Sequence, residues 1–424
     1  MKARILALRE WVGDVFWVIP VLLAAAGVLL AEAVRRLEVP GLAGLPRDLV
    51  FAADAAGARA LLGVIAGSAI GVAGTIFSIT IAALSLTSGQ MGPRLLRNFV
   101  RDAGNRWALG LFLMTFAYAV ALQRGMGGGG AGAVPHLGLA VAVGLALLCT
   151  GVLAWFVHHV ATGINVETVI ALVQAELLEA AARLTGAEPP AAPVLLALPP
   201  PRGAPVRCSA TGYLRAIDYD ALADWAAAQD AVLVVVARPG DYLHPASRIA
   251  EVVPAARRDD AAAVLRGAMS LGPRPAAAQD LEFAVRQLVE VAVRALSPGV
   301  NDPFTAMAVL DRLGAVLAGL AGRHLPAPAL LRGERVVLYR RVTTHDGLCD
   351  AMFHMIREAG GREAAVLIRL VEVLEAALEV EADPARRAAL QRHGRLALAA
   401  GRRGIADEAG REDLEVRAAA LAQA

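Results

Sequence analysis

Between Ala60 and Pro93 the chain carries no Asp, Glu, Lys, Arg or His. A helix through such a run rises about 50 Å at about 1.5 Å per residue, more than the ~30 Å hydrocarbon core of a bilayer requires. The run therefore predicts a membrane-spanning helix. Gly63, Gly67, Gly71 and Thr75 recur at every fourth position, with Gly74, Ser78 and Ser85 nearby, while Val64, Ile70, Ile76, Phe77, Ile79 and Ile81 are bulky. That spacing gathers the small and hydroxylated residues on one side of the helix. A face turned to lipid has no need of such a stripe.

Three more stretches qualify as spans. Val15 to Ala31 is uncharged, Trp107 to Gln123 lies between Arg106 and Arg124, and Leu137 to Val157 ends on Trp155 and Phe156, where interface aromatics belong. Four spans put both termini on one side. The N-terminus (Lys2, Arg4, Arg9) and the loop after the second span (Arg94, Arg97, Arg101, Arg106) carry more cations than the opposite loops. Those hold Arg35, Arg36, Arg47 and Arg59 in one and Arg124 in the other. The positive excess places both termini in the cytoplasm. Lys2, Arg4 and Arg9 also resemble a signal-peptide n-region, yet no small-residue cleavage site leads into a polar start, so the first span is expected to be an uncleaved anchor.

With 57% apolar residues among 424, the chain has the composition of an integral membrane protein and length for a soluble domain besides. Lys2 is its one lysine, every other cation being Arg. That excludes a P-loop lysine, a kinase phosphate lysine and a Schiff-base lysine for pyridoxal phosphate. A net charge of +2 gives no electrostatic case for binding nucleic acid. Cys149, Cys208 and Cys349 are sparse, odd in number and without metal-ligand spacing, as reduced thiols are.

A membrane domain over 1–160, with a Gly-rich connection from Gly125 to Gly132, leads into an amphipathic connecting helix over 161–188. There Val166, Ile170, Val173, Leu177, Ala180 and Leu184 form a seam that must pack on the soluble domain or on another subunit. A Pro-rich linker, 189–205, ends it. Within 206–424, Gly212 to Asp218, Ala231 to Ala237 and Arg248 to Val253 predict short strands around a helix from Tyr219 to Ala228. From Asp259 onward the pattern is helical. The expected fold is a membrane α-helical domain of four transmembrane helices plus a helix-dominated α+β cytoplasmic domain.

Two segments, Ile65 to Asn98 and Arg286 to Ala306 (RQLVEVAVRALSPGVNDPFTA), resemble the hallmark of the bacterial membrane proteins called the domain of unknown function 2254 family. The resemblance runs from the first span to about Leu317. It implies the four-span layout with a cytoplasmic domain, in the inner membrane of a bacterium, and it carries no catalytic residue over.

Several sets of residues are candidates for function. Gly67, Gly71, Thr75, Ser78 and Ser85 either line a pore, where hydroxyls and bared carbonyls replace part of an ion's hydration shell, or pack helices closely through small residues. No carboxylate lies in this span, which favours passive conduction over proton-driven pumping. Arg94, Arg97 and Arg101 share one cationic helix face, suited to anionic headgroups or to an anion-selecting vestibule. His158 and His159 point to different helix sides and read as interface histidines.

In the soluble part, Ser297, Gly299, Asn301 and Asp302 belong to a turn between two helices. Leu281, Val285, Leu288 and Ala292 mark one face of the first, Asp302 is a natural N-cap of the second, and Pro303 suits its first position. The turn is a structural corner, or else an interdomain contact or an anion site at free N–H groups. Asp346, Asp350 and His354 share a face, but with no fourth ligand in sight they read as a solvated polar surface rather than a metal site. No Gly-x-Ser-x-Gly or His-Glu-x-x-His frame is present, so neither an enzyme nor a cofactor is expected. The sequence thus points to a homo-oligomeric ion channel or channel-like pore in the lipid bilayer, with a cytoplasmic regulatory domain open to an unidentified ion or small ligand. The alternative is a non-conducting, membrane-anchored sensory or scaffold protein.

Overall fold

The computed structural model describes residues 16–37, 54–91, 102–126, 134–163, 165–189, 200–274 and 279–423, with side chains over the same ranges except 86–91 and 423. Arg94, Arg97 and Arg101 lie outside the described residues. The chain divides into two compact units, Met1–Thr168 and Val169–Ala424.

The first unit contains α1 (Val18–Leu37), α2 (Ala55–Met91), α3 (Ala103–Gly125) and α4 (His136–Gly163). All four are long and apolar enough to cross a membrane. The third is the hub, packing on each of the others. Glycine sets how closely it does so. A Cβ at Gly27 would lie 2.3 Å from the Met114 carbonyl oxygen, and one at Gly110 would lie 2.4 Å from Leu23 Cδ1, so α1 and α3 touch nearly backbone to backbone. Lipid offers no hydrophobic drive for helix association, and close van der Waals contact through small residues supplies it instead. Tyr118 and Thr115, polar groups inside this bundle, find partners within it, as a medium without water favours. The fully buried Tyr118 donates its hydroxyl to the Gly138 carbonyl at 3.0 Å, and the Thr115 hydroxyl lies 2.9 Å from the Leu111 carbonyl and 3.2 Å from Cys149 Sγ.

The second unit takes in most of α5 (Val166–Leu184). The seam of that helix is buried at Val169, Ile170, Val173, Leu177, Ala180 and Ala181. Its end is pinned to the rest of the second unit: Gly186 and His324 exchange backbone hydrogen bonds, and Arg323 donates to the Thr185 hydroxyl at 2.6 Å and to the Ala182 and Thr185 carbonyls.

Among the described residues eight strands follow in two sheets. A five-stranded sheet has the order β1 (Ala204–Arg207), β5 (Arg248–Val253), β3 (Val232–Val235), β8 (Arg335–Arg340), β7 (Ala329–Arg332). A three-stranded antiparallel sheet has the order β4 (Tyr242–Leu243), β2 (Gly212–Ile217), β6 (Met269–Gly272). Leu233, Val252 and Leu338 interleave in the core with Leu222 of α6 (Tyr219–Ala228) and with Leu265 of α7 (Arg258–Ala268). The helical part comprises α8 (Leu281–Ala295), α9 (Pro303–Leu320), α10 (His345–Ala359), α11 (Ala364–Val380), α12 (Pro384–Gly404) and α13 (Glu408–Gln423).

The C-terminal region is thus mixed α+β, and the all-helical expectation beyond Asp259 fails at β6, β7 and β8. The apolar part of β8 is short, Val336 to Leu338, so it offers little alternation to read. Its strand state comes from tertiary pairing: antiparallel with β7 across a turn whose Gly333 takes φ +61°, and parallel with β3 from far earlier in the chain. The expected Pro-rich linker likewise yields its last residues, Ala204 and Pro205, to β1. A fifth helix, α9, also has the length and apolarity of a span. Its Leu310, Leu313 and Leu317 are buried, and its neighbours in the second unit are α8 and α11.

Candidate functional site

Helix α2 has two unlike sides. Leu62, Ile65, Ala66, Ala69, Ala73, Ile76, Thr80 and Ala83 are buried and share one helix face. Gly67, Gly71, Thr75, Ser78 and Ser85 are all exposed. A Cβ added at Gly63, Gly67, Gly71 or Gly74 would meet nothing within 4 Å among the described residues. Glycines at which helices do meet include Gly27, Gly110 and Gly138, on the other three helices of the first unit. The stripe of Gly63, Gly67, Gly71, Gly74, Thr75 and Ser78 therefore does not pack the protomer's own described helices, whereas Ala66, Ala69 and Ala73 on the other side do. The Thr75 hydroxyl donates to the Gly71 carbonyl at 3.2 Å and the Ser78 hydroxyl to the Gly74 carbonyl at 3.0 Å, so both protons are spent within the helix.

At one end of the bundle Asp102 caps α3, accepting from the Gly104 amide at 2.7 Å through Oδ1. Its Oδ2 lies 2.7 Å from His159 Nε2 near the end of α4, and the His159 ring stacks on Trp155 at 4.7 Å. Gly104 makes room for that stack, since a Cβ there would sit 2.7 Å from His159 Nε2. Arg106 and Asn105 are buried beside the cap, and Asn105 Oδ1 has no partner among the described residues. His159 is thus a specific tertiary contact that helical spacing alone could not show, because its partner is remote in sequence.

The corner between α8 and α9 is tightly bonded. The Ser297 hydroxyl donates to the Arg294 carbonyl at 2.6 Å, the Val300 and Asn301 amides donate to the Ser297 carbonyl, and the Asp302 amide donates to Ala295. Asn301 takes φ +48°, and Gly299 is open to solvent on its Cβ side. Asp302 caps α9, accepting from the Thr305 amide at 3.1 Å and its hydroxyl at 2.6 Å, and the hydroxyl bond holds the carboxyl below its usual range. The chain's own carboxylate therefore fills the place at the helix N-terminus that an external anion would take. Beside it Val300 and Phe304 stand exposed.

Asp350 and His354 of α10 meet His393 of α12, a residue the sequence gives no reason to place there. Their ligand atoms lie within 4.8 Å of one another, a set of two imidazoles and a carboxylate that suits a transition metal. The position is contested by a cation of the chain. Arg392 Nη2 lies 2.5 Å from Asp350 Oδ1, 2.8 Å from Asp346 Oδ1 and 3.3 Å from His393 Nε2. Asp350 Oδ1 also lies 2.8 Å from His354 Nε2 and 3.1 Å from His393 Nε2. Oδ1 of this carboxylate is thus engaged by three of the protein's own groups. Close by, Cys349 Sγ is 3.7 Å from His345 Nδ1, but burial pushes the thiol up to about 12, so it carries no thiolate at neutral pH.

A cleft lies at the carboxyl ends of the two parallel strands β3 and β8, where Val235 is opposite Arg340. It encloses about 140 Å³, with apolar wall from Leu184, Leu281, Leu325 and Pro326. A more open cleft shares Tyr219, Gln279 and Arg340 with it. Arg238 at its rim makes a bidentate pair with Glu282, at 2.7 and 2.8 Å. Arg340 has no such partner. Its Nε donates to the Ala327 carbonyl at 3.0 Å, its guanidinium carbon lies 4.7 Å from the centre of the Tyr219 ring, and no carboxylate pairs with it among the described residues. Burial disfavours its charge and pushes the Tyr219 phenol up to about 12.

Comparison with known proteins agrees with this architecture. A family model described as "Predicted membrane protein (DUF2254)" matches residues 14–376. The uncharacterized protein Rv1290c of Mycobacterium tuberculosis (strain ATCC 25618 / H37Rv) is 31% identical over 428 residues, covering 97% of this chain and 81% of the relative. The uncharacterized protein Mb1321c of Mycobacterium bovis shows the same 31% identity and the same coverage. No solved structure matches. With most of its length matched by the family model and nearly all of it by these relatives, the chain belongs to the DUF2254 family of predicted membrane proteins.

Proposed function

We propose that this membrane protein is a homo-oligomeric, channel-like pore of four spans per protomer, with both termini and the α+β unit in the cytoplasm of a bacterial cell. One observation carries the reading: the small and hydroxylated face of α2 is exposed, and it lies away from the face that packs the protomer. In hydrocarbon such a face gains most by meeting other backbones closely, so copies assemble through it and bring α2 to the axis. There Thr75, Ser78 and Ser85 offer hydroxyl oxygens as acceptors to a passing cation. We assign α9 to the soluble unit rather than to the membrane, because Val309, Leu310, Leu313, Val316 and Leu317 are already buried on the side that packs on α8 and α11. No residue set here is assigned to enzymatic catalysis.

The test is twofold. Cysteines introduced at Gly71 should cross-link neighbouring copies in the membrane, and liposomes holding the protein should pass small ions. A protein that stays monomeric at Gly71 and passes no ion under any voltage or pH ends the proposal. A thiol introduced at Gly128 should react from outside the cell and one at Arg202 should not; reaction at Arg202 in intact cells overturns the orientation. All three native cysteines are buried, so the labelling background is low.

A second reading is favoured by the Thr75 and Ser78 hydrogen bonds. With both hydroxyl protons turned inward, the face is drier than its composition suggests and also suits a seam between non-conducting anchors. Cross-linking at Gly71 without ion flux is its signature.

A further inference from the structure

We propose that the cleft lined by Tyr219 and Arg340 binds a small organic anion: a carboxylate or phosphate ester whose oxyanion pairs with the Arg340 guanidinium and whose ring-sized body packs on the cleft's apolar wall. The inference goes beyond the channel reading and stands without it.

Charge comes first. A guanidinium drawn out of water is costly unless an anion meets it. Arg238, at the rim of the same cleft, has Glu282 for this purpose, and Glu282 is also engaged by Arg286 at 2.8 Å. Asp280 lines the cleft too, but its Oδ1 accepts from the Phe283 amide as the cap of α8. Among the described residues no carboxylate pairs with Arg340, while Asp220, whose charge acts on it, is paired with Arg332 at 3.0 Å.

Geometry then selects the anion. The Arg340 stem is fixed by the Ala327 carbonyl at Nε and by the Tyr219 ring beneath it, so the two terminal nitrogens are the part still available. That planar pair matches the two oxygens of a carboxylate or phosphate. Arg341, half exposed in the same lining, adds a second cation, its nearest carboxylate being Asp241 at 3.8 Å. The Tyr219 hydroxyl, with no partner among the described residues, can donate to a ligand oxygen. Size and polarity select the body. About 140 Å³ is close to the roughly 150 Å³ of an apolar cavity that admits benzene. Its walls of Leu184, Leu281, Leu325 and Pro326 offer such a body contact area and no hydrogen bonds. Location agrees, because the carboxyl ends of parallel strands are where open α/β sheets form ligand crevices.

The test uses the full chain in nanodiscs of phosphatidylcholine alone, which removes anionic headgroups, with phenyl phosphate, benzoate and inorganic phosphate as probes and calorimetry as the readout. Phenyl phosphate or benzoate should bind, the preference between them naming the oxyanion, and inorganic phosphate should bind at least tenfold more weakly. Arg340→Met should weaken the better probe at least tenfold. Leu325→Trp, which fills the cavity and leaves Arg340 in place, should do the same and guards against a folding defect in the first variant. Arg248→Met, on β5 and outside the cleft lining, should change nothing. Inorganic phosphate binding as well as the aromatic probes overturns the apolar body. Unchanged affinity in Arg340→Met or Leu325→Trp, or no binding of either aromatic probe at roughly 10 mM, far below the ordinary range of specific sites, overturns the site. Ion flux takes no part in this readout, so a protein that binds phenyl phosphate and conducts nothing refutes the channel and leaves the cleft standing.

Discussion

The Asp102 carboxylate bridges two helices: Oδ1 accepts from the Gly104 amide at the start of α3, and Oδ2 lies 2.7 Å from His159 Nε2 near the end of α4. One side chain thus caps a helix and clamps its neighbour. Asp102→Ala removes both, and a lost cap alone costs about 1 kcal/mol. Asp102→Asn keeps an acceptor for the cap but weakens the His159 contact. The expected order of thermal stability in detergent is wild type, Asp102→Asn, Asp102→Ala. Equal stability of the wild type and Asp102→Ala would show that the clamp is idle.

How much of this was legible in the sequence depends on how local each signal is. The spans, the α6 helix and the Asp302 cap follow from charge-free runs, periodicity and a Pro at the first helical position, all of them properties of neighbouring residues. The strand state of β8 was hidden because it is decided by pairing with β3. His393 was missed for the same reason. Spacing could group Asp346, Asp350 and His354, but only the packing of α12 on α10 brings His393 and Arg392 to them. Arg340 was equally silent, since an arginine without a partner looks in sequence like any other. The small-residue stripe was visible at once, whereas the question of what it faces needed the glycine contacts of the other three helices.

His393 should make stability depend on pH. It is 1% exposed, and burial, aided by the Arg392 charge, lowers it from 6.5 to about 4, with Asp350 pulling the other way and His354 reinforcing the shift. Between those values the unfolded chain takes up a proton that the folded chain refuses, so stability falls as the pH drops from about 6.5 towards 4. The loss amounts to as much as about 3 kcal/mol at 1.36 kcal/mol per unit. Denaturation of the second unit's transition in the full-length protein at pH 7 and pH 5 should show it, and His393→Phe should flatten the difference. An unchanged pH dependence in that variant would contradict the assignment.

Asp302→Ala should lower stability by about 1 kcal/mol by opening the α9 N-terminus. Asp302→Asn should recover most of that, because its side-chain oxygen still accepts from the Thr305 amide. Failure of Asn to rescue would mean that the charge, held by the Thr305 hydroxyl, matters more than the cap itself.

The contrast between Gly27 and Gly71 separates packing inside the protomer from whatever α2 faces outside it. A methyl at Gly27 would press against the Met114 backbone at 2.3 Å, where nothing flexible can yield, so Gly27→Ala must spread α1 from α3. Overpacking of this kind costs about 1 to 3 kcal/mol. A methyl at Gly71 meets nothing among the described residues, so Gly71→Ala should leave the protomer's thermal stability unchanged. Bulkier Thr75→Leu and Ser78→Leu should likewise spare the protomer, and their effect on assembly and flux then becomes interpretable. If α2 surrounds a conducting axis, either leucine abolishes flux while the cross-linked oligomer persists; if α2 is a dry seam between copies, the oligomer itself is lost. Destabilisation of the protomer by Gly71→Ala to the extent seen with Gly27→Ala would refute the premise of both outcomes, that this face of α2 is free within one chain.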